Sequence, residues 1–302
     1  LHVALPPGPV RQADRVAGAG LGVLGVLASV WLLLPIMADV EGTMARQTRS
    51  STIARFVHDR FPDPPDTLAA LRRLVGGDQF PQVFDALQRT PSVSAPPAAS
   101  GLPSAVAQAT AASVVKVEGV ACRRIQDGSG FVVAEDLVVT NAHVVAGEPE
   151  TDLQRPDGSQ VTGRVVAFDP RRDLALVHAP GLGLAPLPLG DTDVGGRGGV
   201  FGHPGGGPLE ISPFEVARET DAVGRDIYDG ARTERRVLVL SSELRPGDSG
   251  AALVDPTGTV VGVAFAIAPD RPGVAYALDV TELHAVLEGP HAAPVDTGPC
   301  LT

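Results

Sequence analysis

The chain has 302 residues, with 24 lysine and arginine side chains against 35 aspartate and glutamate side chains, for a formal net charge of -11. This length fits one large domain or two smaller ones. The basic residues are scattered rather than clustered in a stripe, which argues against nucleic acid as a partner. The sequence contains no Cys-x-x-Cys or His-Glu-x-x-His pattern, so neither a metal site nor a cofactor is predicted.

The N-terminal part contains an apolar stretch at residues 17–38 that carries no charged side chain. A helix of this length spans a hydrocarbon core of about 30 Å. A cleaved signal peptide is the alternative interpretation, but its apolar region is normally shorter and residues 36–38 make a poor cleavage site. We therefore expect a transmembrane helix at 17–38, preceded by a juxtamembrane segment at 1–16.

Residues 39–104 have the composition of a linker. The part next to the apolar stretch is mostly polar, with apolar Ile53, Phe56 and Val57, and predicts a short amphipathic helix at the membrane surface. The rest of the linker is rich in proline, which fixes φ and removes an amide donor. No compact sheet is expected there.

From residue 105 to the C-terminus, at 302, short valine-rich runs are separated by Gly, Pro and Asp. A first group comprises SVVKVEGV, GFVVA, LVVT, QVTGRVVAF and DLALVHA. A second group comprises GVFG, EISPFEVARE, RRVLVLSS, AALVD, TVVGVAFAIA and GVAYALD. Two groups of short strands predict an all-β domain, either a sandwich or a pair of barrels. The segment DVTELHAVLE predicts a closing helix capped by Asp279 or Thr281.

Three short motifs supply the groups that a serine needs to hydrolyse a peptide: an imidazole base, a carboxylate to orient it, and donors for the oxyanion. His143 follows a strand in VVTNAHVVAG, and Asp173 begins a strand in DPRRDLALVHA. In RPGDSGAALV, Ser249 lies between Gly247 and Gly250, which allow a sharp turn. The amides of Gly247 and Ser249 are then the expected oxyanion hole.

Each motif alone has an ordinary structural interpretation, because Gly-x-Ser-Gly occurs in many turns and an aspartate before a strand commonly caps a turn. Asp169, in the preceding Asp-Pro turn, competes with Asp173 for the carboxylate role. The joint occurrence of His143, Asp173 and Ser249, in the chain order of the chymotrypsin type, predicts a catalytic triad. Four other histidines have no comparable surroundings and are interpreted as structural or solvated: His178, His203, His284 and His291.

The segments TNAHVV, RRDLALV and GDSG resemble the bacterial trypsin-like proteases of the HtrA and chymotrypsin superfamily over roughly residues 105–290. The apolar span, the linker and the placement of the two cysteines more closely resemble the actinobacterial membrane-anchored periplasmic proteases of the MarP type. In that family a colicin-V-production-like membrane module precedes the protease. The resemblance implies a chymotrypsin/trypsin-like double β-barrel, a triad in the cleft between the barrels, and a role in envelope stress or acid resistance.

Two details depart from the usual pattern or have no assigned role. Ala251 and Ala252 follow Gly250 where the family usually has glycine and proline, and both are small, so we expect modest repacking and retained activity. Asp248 precedes the serine, but the sequence shows no recognisable activation site, and Asp248 is left unassigned.

The resemblance also predicts where substrate binds. A strand containing Ala264, Phe265 and Ala266 is expected to pair with the substrate backbone, and Ser242 and Glu243 are expected to border the S1 pocket. Glu243 is compatible with a preference for a basic P1 residue or with a solvated loop carboxylate. The expected partners are protein or peptide substrates in the cell envelope, and the membrane itself.

The two cysteines, Cys122 and Cys300, are expected to form a disulfide, because an exported domain lies in an oxidising compartment. Two unrelated thiols are the alternative. The arginines on either side of the apolar span do not settle its orientation. The cysteines and the resemblance lead us to expect an anchored protein at the cell membrane, with residues 39–302 on the periplasmic side.

Three functions of different classes remain open from the sequence. The first is an active, membrane-anchored serine endopeptidase. The second is a catalytically inactive protease-fold module that binds peptides or cell-wall components, and the third is a membrane protein whose soluble domain is a sensor. The complete triad with both flanking glycines favours the first, because a binding module has no need to retain all of these residues.

Overall fold

A computed structural model of the chain describes positions 18 and 22 and residues 25–31, 47–48, 51–60, 90–121, 124–268 and 270–301. Most of the apolar stretch 17–38 lies outside these residues, as do the juxtamembrane segment 1–16 and linker residues 61–89. Within the described part of the chain, no helix is both long enough and apolar enough to span a membrane. Internal contacts divide the chain into two units, Leu1–Gly77 and Asp78–Thr302.

The first unit contains the described helix α1, Thr52–Arg60. The hydroxyl of Ser51 accepts a hydrogen bond from the amide of Ala54 and so caps the start of the helix. Ile53 and Phe56 are exposed. This exposed pair is compatible with the predicted amphipathic helix, whose contact with a membrane stays a prediction.

In the second unit, the described part of the linker follows the surface of the β domain before α2, Ser104–Ala111. Val93 and Leu102 pack against the main apolar core. The hydroxyl of Thr90 also donates a hydrogen bond to the carboxylate of Asp270, in the turn after a core strand. The chain therefore contacts the β domain from residue 90 onward.

The first barrel is a closed antiparallel sheet of six strands in the order β1-β2-β3-β6-β5-β4. The sequence patterns predict five of these strands. The sixth, β4, is absent from that prediction because its four residues, TDLQ, are too short and too polar for the valine-rich pattern. The strands are β1 Val114–Ala121, β2 Arg124–Ala134, β3 Leu137–Thr140, β4 Thr151–Gln154, β5 Gln160–Asp169 and β6 Leu174–His178.

The second barrel is closed in the order β10-β11-β12-β9-β8-β7, and the sequence patterns predict all six strands. Burial alternates along the first half of β9, where the buried Thr233 and Arg235 contact the turn before β6, and becomes continuous in the second half. The strands are β7 Arg197–Gly202, β8 Glu210–Arg225, β9 Arg232–Ser241, β10 Ala252–Val254, β11 Val260–Ile267 and β12 Val274–Asp279. The all-β double-barrel prediction is confirmed.

A closing helix follows the second barrel, as predicted. It is α4, Val280–Leu287, and Asp279 caps it by accepting a hydrogen bond from the amide of Thr281 at 2.9 Å. The chain then returns to the first barrel, where the amide of Val295 donates to the carbonyl of Val165 at 2.9 Å. The C-terminal tail is thus tied to the barrel that carries His143.

One apolar cluster joins the two barrels. It contains side chains of the first barrel, such as Val114 and Phe131, together with side chains of the second, such as Phe201 and Phe265. All four are almost completely buried. Because burial of apolar area stabilises the folded state roughly in proportion to area, this shared cluster holds the barrels against each other. The site described next crosses the same interface.

Candidate active site

His143 lies in α3, Ala142–Val145, a single buried helical turn directly after β3. Its imidazole Nδ1 lies 2.8 Å from Oδ2 of Asp173, and its backbone amide donates to Oδ1 of the same carboxylate at 2.9 Å. The carboxylate is fully buried. Because Asp173 engages Nδ1, the imidazole presents Nε2 on the opposite side of the ring.

Asp173 has a left-handed backbone conformation, with φ of 61°. Few residues other than glycine adopt this conformation, so the surrounding structure must hold it. Asn141 contributes by donating from Nδ2 to the carbonyl of Asp173 at 2.8 Å. The turn before Asp173 is held from the second barrel, because the carbonyl of Arg171 accepts hydrogen bonds from Thr233 and Arg235.

Asp169, the competing carboxylate, has a different role. Its Oδ1 accepts from the amides of Arg171 and Arg172, each at 2.9 Å, and its Oδ2 pairs with the guanidinium of Arg172. Among the described residues only Asp173 is within hydrogen-bond distance of the imidazole of His143. The structure therefore brings Asp173, and not Asp169, to the histidine.

Ser249 is buried at the interface of the barrels, and its carbonyl accepts from the amide of Ser129 at 2.8 Å. The next residue, Gly250, fits closely under the start of α3. A Cβ there would lie 2.6 Å from Oγ1 of Thr140 and 3.2 Å from the amide nitrogen of Asn141. This close approach and a φ of 83° both require glycine.

The loop before Ser249 leaves two amides free. Pro246 accepts from the amide of Gly205 at 2.6 Å, which turns the carbonyl of the Pro246–Gly247 peptide toward the 203–207 turn. In a trans peptide the N–H points the opposite way, so the amide of Gly247 faces away from that turn. Neither this amide nor that of Ser249 donates to another described residue. An oxyanion hole requires free donors, and these two amides are free to supply them.

In this conformation the hydroxyl of Ser249 makes no hydrogen bond to His143. Catalytic hydrogen bonds are often long in the free enzyme and tighten when substrate binds. Gly128 lies between α3 and the turn at Ser249, since a Cβ there would be 2.8 Å from the side chain of Val144 and 3.1 Å from the carbonyl of Ser249.

Asp248 is buried in the loop at residues 245–249. Its Oδ2 accepts from the amide of Arg245 at 2.8 Å, and its other oxygen packs against Gly202, where no side chain would fit. Burial raises the pKa of Asp248 to about 6, opposed by the Arg245 amide. The geometry gives this carboxyl a structural position behind the loop, outside the pair formed by His143 and Asp173.

The predicted substrate strand is β11. The N–H and C=O of Ala264 are both used internally, by Ala251 and Gly250, each within 2.9 Å. Phe265 is the bulged residue of the pairing with β12, and its side chain is completely buried, so any contact with substrate is through its backbone. Ala266 is also buried. It pairs with Tyr276 of β12 on one edge of the strand, and β10 does not extend to its other edge.

The two residues predicted beside the S1 pocket differ in exposure. Ser242 is buried, and its hydroxyl donates to the carbonyl of Pro213 at 2.8 Å. Its amide donates to the carbonyl of Gly273, between β11 and β12. Glu243 is exposed to solvent. Their contacts with substrate stay predictions.

Glu148 lies behind α3 and was not singled out by its sequence. Thr151 donates to its Oε2 at 2.8 Å, and Gln126 donates to its Oε1 at 3.2 Å. The same amide nitrogen of Gln126 also contacts the carbonyls of Val144 and Ala146, at the end of α3. Burial raises the pKa of Glu148 to about 7, opposed by these two hydrogen bonds.

The C-terminal tail packs on the same region. Gly147, with φ of 77°, donates to the carbonyl of Thr297 at 3.1 Å, and a Cβ at Gly147 would lie 2.8 Å from Sγ of Cys300. Thr297 in turn donates from its hydroxyl to the carbonyl of Glu148 at 2.9 Å. Cys300 is not a free thiol. Cys122 lies outside the described residues, so its pairing with Cys300 stays a prediction.

The sequence analysis missed three buried polar residues that support this site: Ser129, Glu148 and Arg235. The Gly-Ser-Gly at 128–130 is a signal that could have drawn attention to Ser129. Glu148 and Arg235 carry no comparable local signal. In the part of the chain that the structure describes, no group of three or more His, Cys, Asp or Glu side chains is arranged to hold a metal ion.

Residues 128–263 match the family model described as a trypsin-like peptidase domain. The serine protease Rv3671c of Mycobacterium tuberculosis strain H37Rv is 33% identical over 307 aligned residues, which cover 97% of this chain and 76% of that protein. A probable periplasmic serine endoprotease, DegP-like, of Brucella suis is 30% identical over 55% of this chain and 33% of its own length.

Solved structures show the same fold. The crystal structure of the Rv3671c protease in its active form superposes with a TM-score of 0.67 and 33% identity, covering 73% of this chain and all of that one. The HtrA-type protease AlgW with a tripeptide gives a TM-score of 0.54 at 22% identity, covering 61% of each chain. At that identity the similarity supports the fold alone.

Proposed function

The chain belongs to the trypsin-like serine proteases, in the same family as the Rv3671c protease, and on that premise we propose that His143, Asp173 and Ser249 are its catalytic triad. The protein is a serine endopeptidase. The observation that supports the assignment best is the geometry of the histidine. Its Nδ1 is held by a buried carboxylate at 2.8 Å while the loop of Ser249 presents two free amides across the barrel interface.

In this proposal the hydroxyl of Ser249 attacks the scissile carbonyl carbon, and Nε2 of His143 takes its proton. Asp173 stabilises the imidazolium that forms. The carbonyl oxygen becomes an oxyanion and accepts from the amides of Gly247 and Ser249. The imidazolium then protonates the leaving amine, the C–N bond breaks, and an acyl-enzyme remains on Ser249. Water, deprotonated by His143, attacks the ester carbonyl carbon. The bond from this carbon to Oγ of Ser249 then breaks, Oγ takes the proton back from His143, and the acid is released.

Substrate is expected to bind as an added strand along the free edge of β11. The edge of β11 beyond Ala264 supports this proposal, because β10 begins at Ala252, opposite Val263, and Gly250 and Ala251 bond only the C=O and N–H of Ala264. We assign Phe265 and Ala266 to backbone contacts with the substrate. Ser242 and Glu243 are assigned to the rim of the S1 pocket.

We further propose that the protease is anchored at the cell membrane by residues 17–38 and acts on envelope proteins or peptides from the periplasmic side, in envelope stress or acid resistance. The apolar composition of 17–38 supports the anchor. The DegP-like relatives, described as periplasmic, support the compartment. A reporter active only in the periplasm, fused after Thr302 in the full chain, should be active. Activity of a cytoplasmic reporter instead would reverse the topology.

A disulfide between Cys122 and Cys300 is part of the same proposal. It is supported by the presence of only two cysteines in the chain and by the position of Cys300 against Gly147, four residues after His143. An oxidising compartment favours such a bond.

Turnover tests the catalytic assignment directly. The wild-type chain should cleave peptides from a denatured proteome, with the cleavage sites read by mass spectrometry, which also gives the P1 preference. Ser249→Ala and His143→Ala should each remove this cleavage while leaving the circular dichroism spectrum unchanged, because the two groups act as one unit. Ser159→Ala, in an exposed turn, is the matched control and should cleave like wild type. Cleavage by Ser249→Ala would overturn the assignment.

A further inference from the structure

Ser129 connects the first barrel to the loop at residues 245–249, which carries the proposed oxyanion hole. It lies in β2 and is completely buried. Its amide donates to the carbonyl of Ser249 at 2.8 Å. Its hydroxyl donates to the carbonyl of Gly247 at 2.7 Å and lies 2.8 Å from the amide nitrogen of His203. One residue of the first barrel thus contacts both of the residues whose amides form the oxyanion hole.

The direction of each hydrogen bond at this hydroxyl is fixed by its partners. The amide of His203 can only donate, so the oxygen of Ser129 accepts there. The carbonyl of Gly247 can only accept, so the single hydroxyl proton of Ser129 lies on that bond. The hydroxyl therefore links the 203–207 turn to Gly247 in one defined orientation.

Gly247 needs such a restraint. It adopts φ of 94°, in a region open to glycine, and glycine has more backbone freedom than any other residue. The peptide before it is held by the hydrogen bond from Gly205 to Pro246, and the peptide after it is held through its carbonyl by Ser129. A Cβ at Gly247 would lie 2.6 Å from the amide nitrogen of Gly205, so the loop packs directly on the turn.

We propose that Ser129 is a positioning residue for the transition state, whose hydroxyl holds the Gly247 carbonyl so that the Gly247 amide faces the oxyanion. The assignment rests on the triad proposed above. Ser129 does not touch the reacting atoms. Its amide, which any residue except proline would supply, holds Ser249, whereas only its side chain holds Gly247. Oxyanion donors stabilise the transition state because they are already directed at the charge that develops there. Loss of the restraint on Gly247 therefore lowers the rate of the chemical step.

The test compares Ser129→Ala with wild type in the full chain, using a fluorogenic peptide chosen from the cleavage map. The kcat should fall about 10- to 100-fold, less than the 10²–10³ for removing a donor outright, because the amide is still present. KM should stay within about twofold, since the ground state does not use the oxyanion hole. The inhibition constant of a peptidyl trifluoromethyl ketone, which forms an oxyanion on Ser249, should rise by the same factor as kcat falls.

Ser113→Ala is the matched control, because Ser113 is a second buried serine before β1 whose carbonyl, not its side chain, bonds Val132. It should leave kcat unchanged.

Ser129→Cys keeps a weaker donor and should give an intermediate kcat. This variant also tests the proposal if the alanine variant does not fold. The concentration of active sites is titrated with a fluorophosphonate. A kcat per active site equal to that of wild type would overturn the proposal, and so would a rise in KM alone. A wild-type chain that the fluorophosphonate does not label would instead overturn the triad.

Discussion

Arg235, on the second barrel, donates from Nε to the carbonyl of Arg171 at 2.6 Å, two residues before Asp173. Its Nη2 donates to the carbonyl of Arg225 at 2.8 Å. The guanidinium is almost completely buried and lies 5.9 Å from the ring centroid of Phe265. Burial lowers its pKa, opposed first by the carboxylate of Asp173. A buried cation of one barrel therefore holds the turn that presents the carboxylate of the other.

Arg235→Met should destabilise the fold and slow catalysis. The substitution removes two hydrogen bonds that the buried guanidinium donates, and a hydrogen bond to a charged group contributes about 1.5–3 kcal/mol. We expect the free energy of unfolding to fall by about 2–5 kcal/mol in urea titrations, carried out in the Ser249→Ala background to prevent self-digestion. In the active background kcat should fall, because the turn before Asp173 keeps the hydrogen bond from Thr233 but loses the one from Arg235.

Arg236→Met is the neighbouring control. The Arg236 side chain is 52% exposed and pairs with Glu219 at the surface, and such pairs contribute about 0–1 kcal/mol. Equal losses of stability for the two variants would contradict a special role for Arg235.

Asp173→Asn should lower kcat by about 10⁴-fold, because an amide favours the wrong tautomer of the histidine and cannot stabilise the imidazolium. Steady-state kinetics with the fluorogenic peptide measures the effect. Asp169→Asn should change kcat by no more than a few fold, since Asp169 caps the turn and pairs with Arg172. A large loss in the Asp169 variant with none in the Asp173 variant would show that the carboxylates were assigned in the wrong order.

Glu148 should make stability depend on pH. The ordinary pKa of its carboxyl is 4.5, and burial raises it to about 7 in the folded chain. The folded state therefore binds the proton more tightly than the unfolded state. The stabilisation is fully present below about pH 4.5 and is lost as the pH rises to about 7. The difference corresponds to about 2–3 kcal/mol.

Glu148→Gln removes this titration. Between pH 4.5 and 7.5 the wild-type chain should lose about 2–3 kcal/mol relative to the variant in urea titrations, both in the Ser249→Ala background. Burial also raises the pKa of Asp248. This residue is present in both proteins, so its contribution to the pH dependence cancels in the comparison. Glu150→Gln is the control, because Glu150 is an exposed partner of Arg164. Parallel pH profiles for wild type and Glu148→Gln would contradict the prediction.

Cleavage of the proposed disulfide should destabilise the domain. A bond between Cys122 and Cys300 closes most of the domain into one loop, for which the chain-entropy model gives at most about 5 kcal/mol. Cys122→Ser, Cys300→Ser and the double variant should therefore lose the same stability, and activity should fall because the tail packs beside α3. Non-reducing peptide mapping should recover both cysteines in one linked peptide. Free thiols at both positions in periplasmic protein would contradict the pairing.

The parts of the structure that the sequence predicts are those encoded locally. Valine-rich runs predict eleven of the twelve strands, and Asp279 is one of two caps proposed for α4. The residues of the proposed triad lie in short motifs whose order along the chain is informative, and the structure brings His143 and Asp173 within hydrogen-bond distance. Strand β4 has no such signal because a short polar strand depends on its neighbours for pairing.

Apart from the Gly-Ser-Gly around Ser129, no local signal marks the supporting residues, because their partners are distant in the chain. Ser129 bonds a residue 118 positions away, and Arg235 bonds one 64 positions away. Glu148 resembles any surface glutamate in sequence, whereas in the structure its carboxyl is buried and packs against Gly119. Such contacts follow from the docking of the two barrels, which no local pattern specifies.

Labelling with a fluorophosphonate tests the central claim most directly, because only a serine activated by its histidine reacts at an appreciable rate. The intact wild-type chain should gain the mass of one phosphonyl group, and peptide mapping should place it on Ser249. His143→Ala should gain none within the same time. An unlabelled wild-type chain, or a phosphonyl group on another serine, would contradict the account.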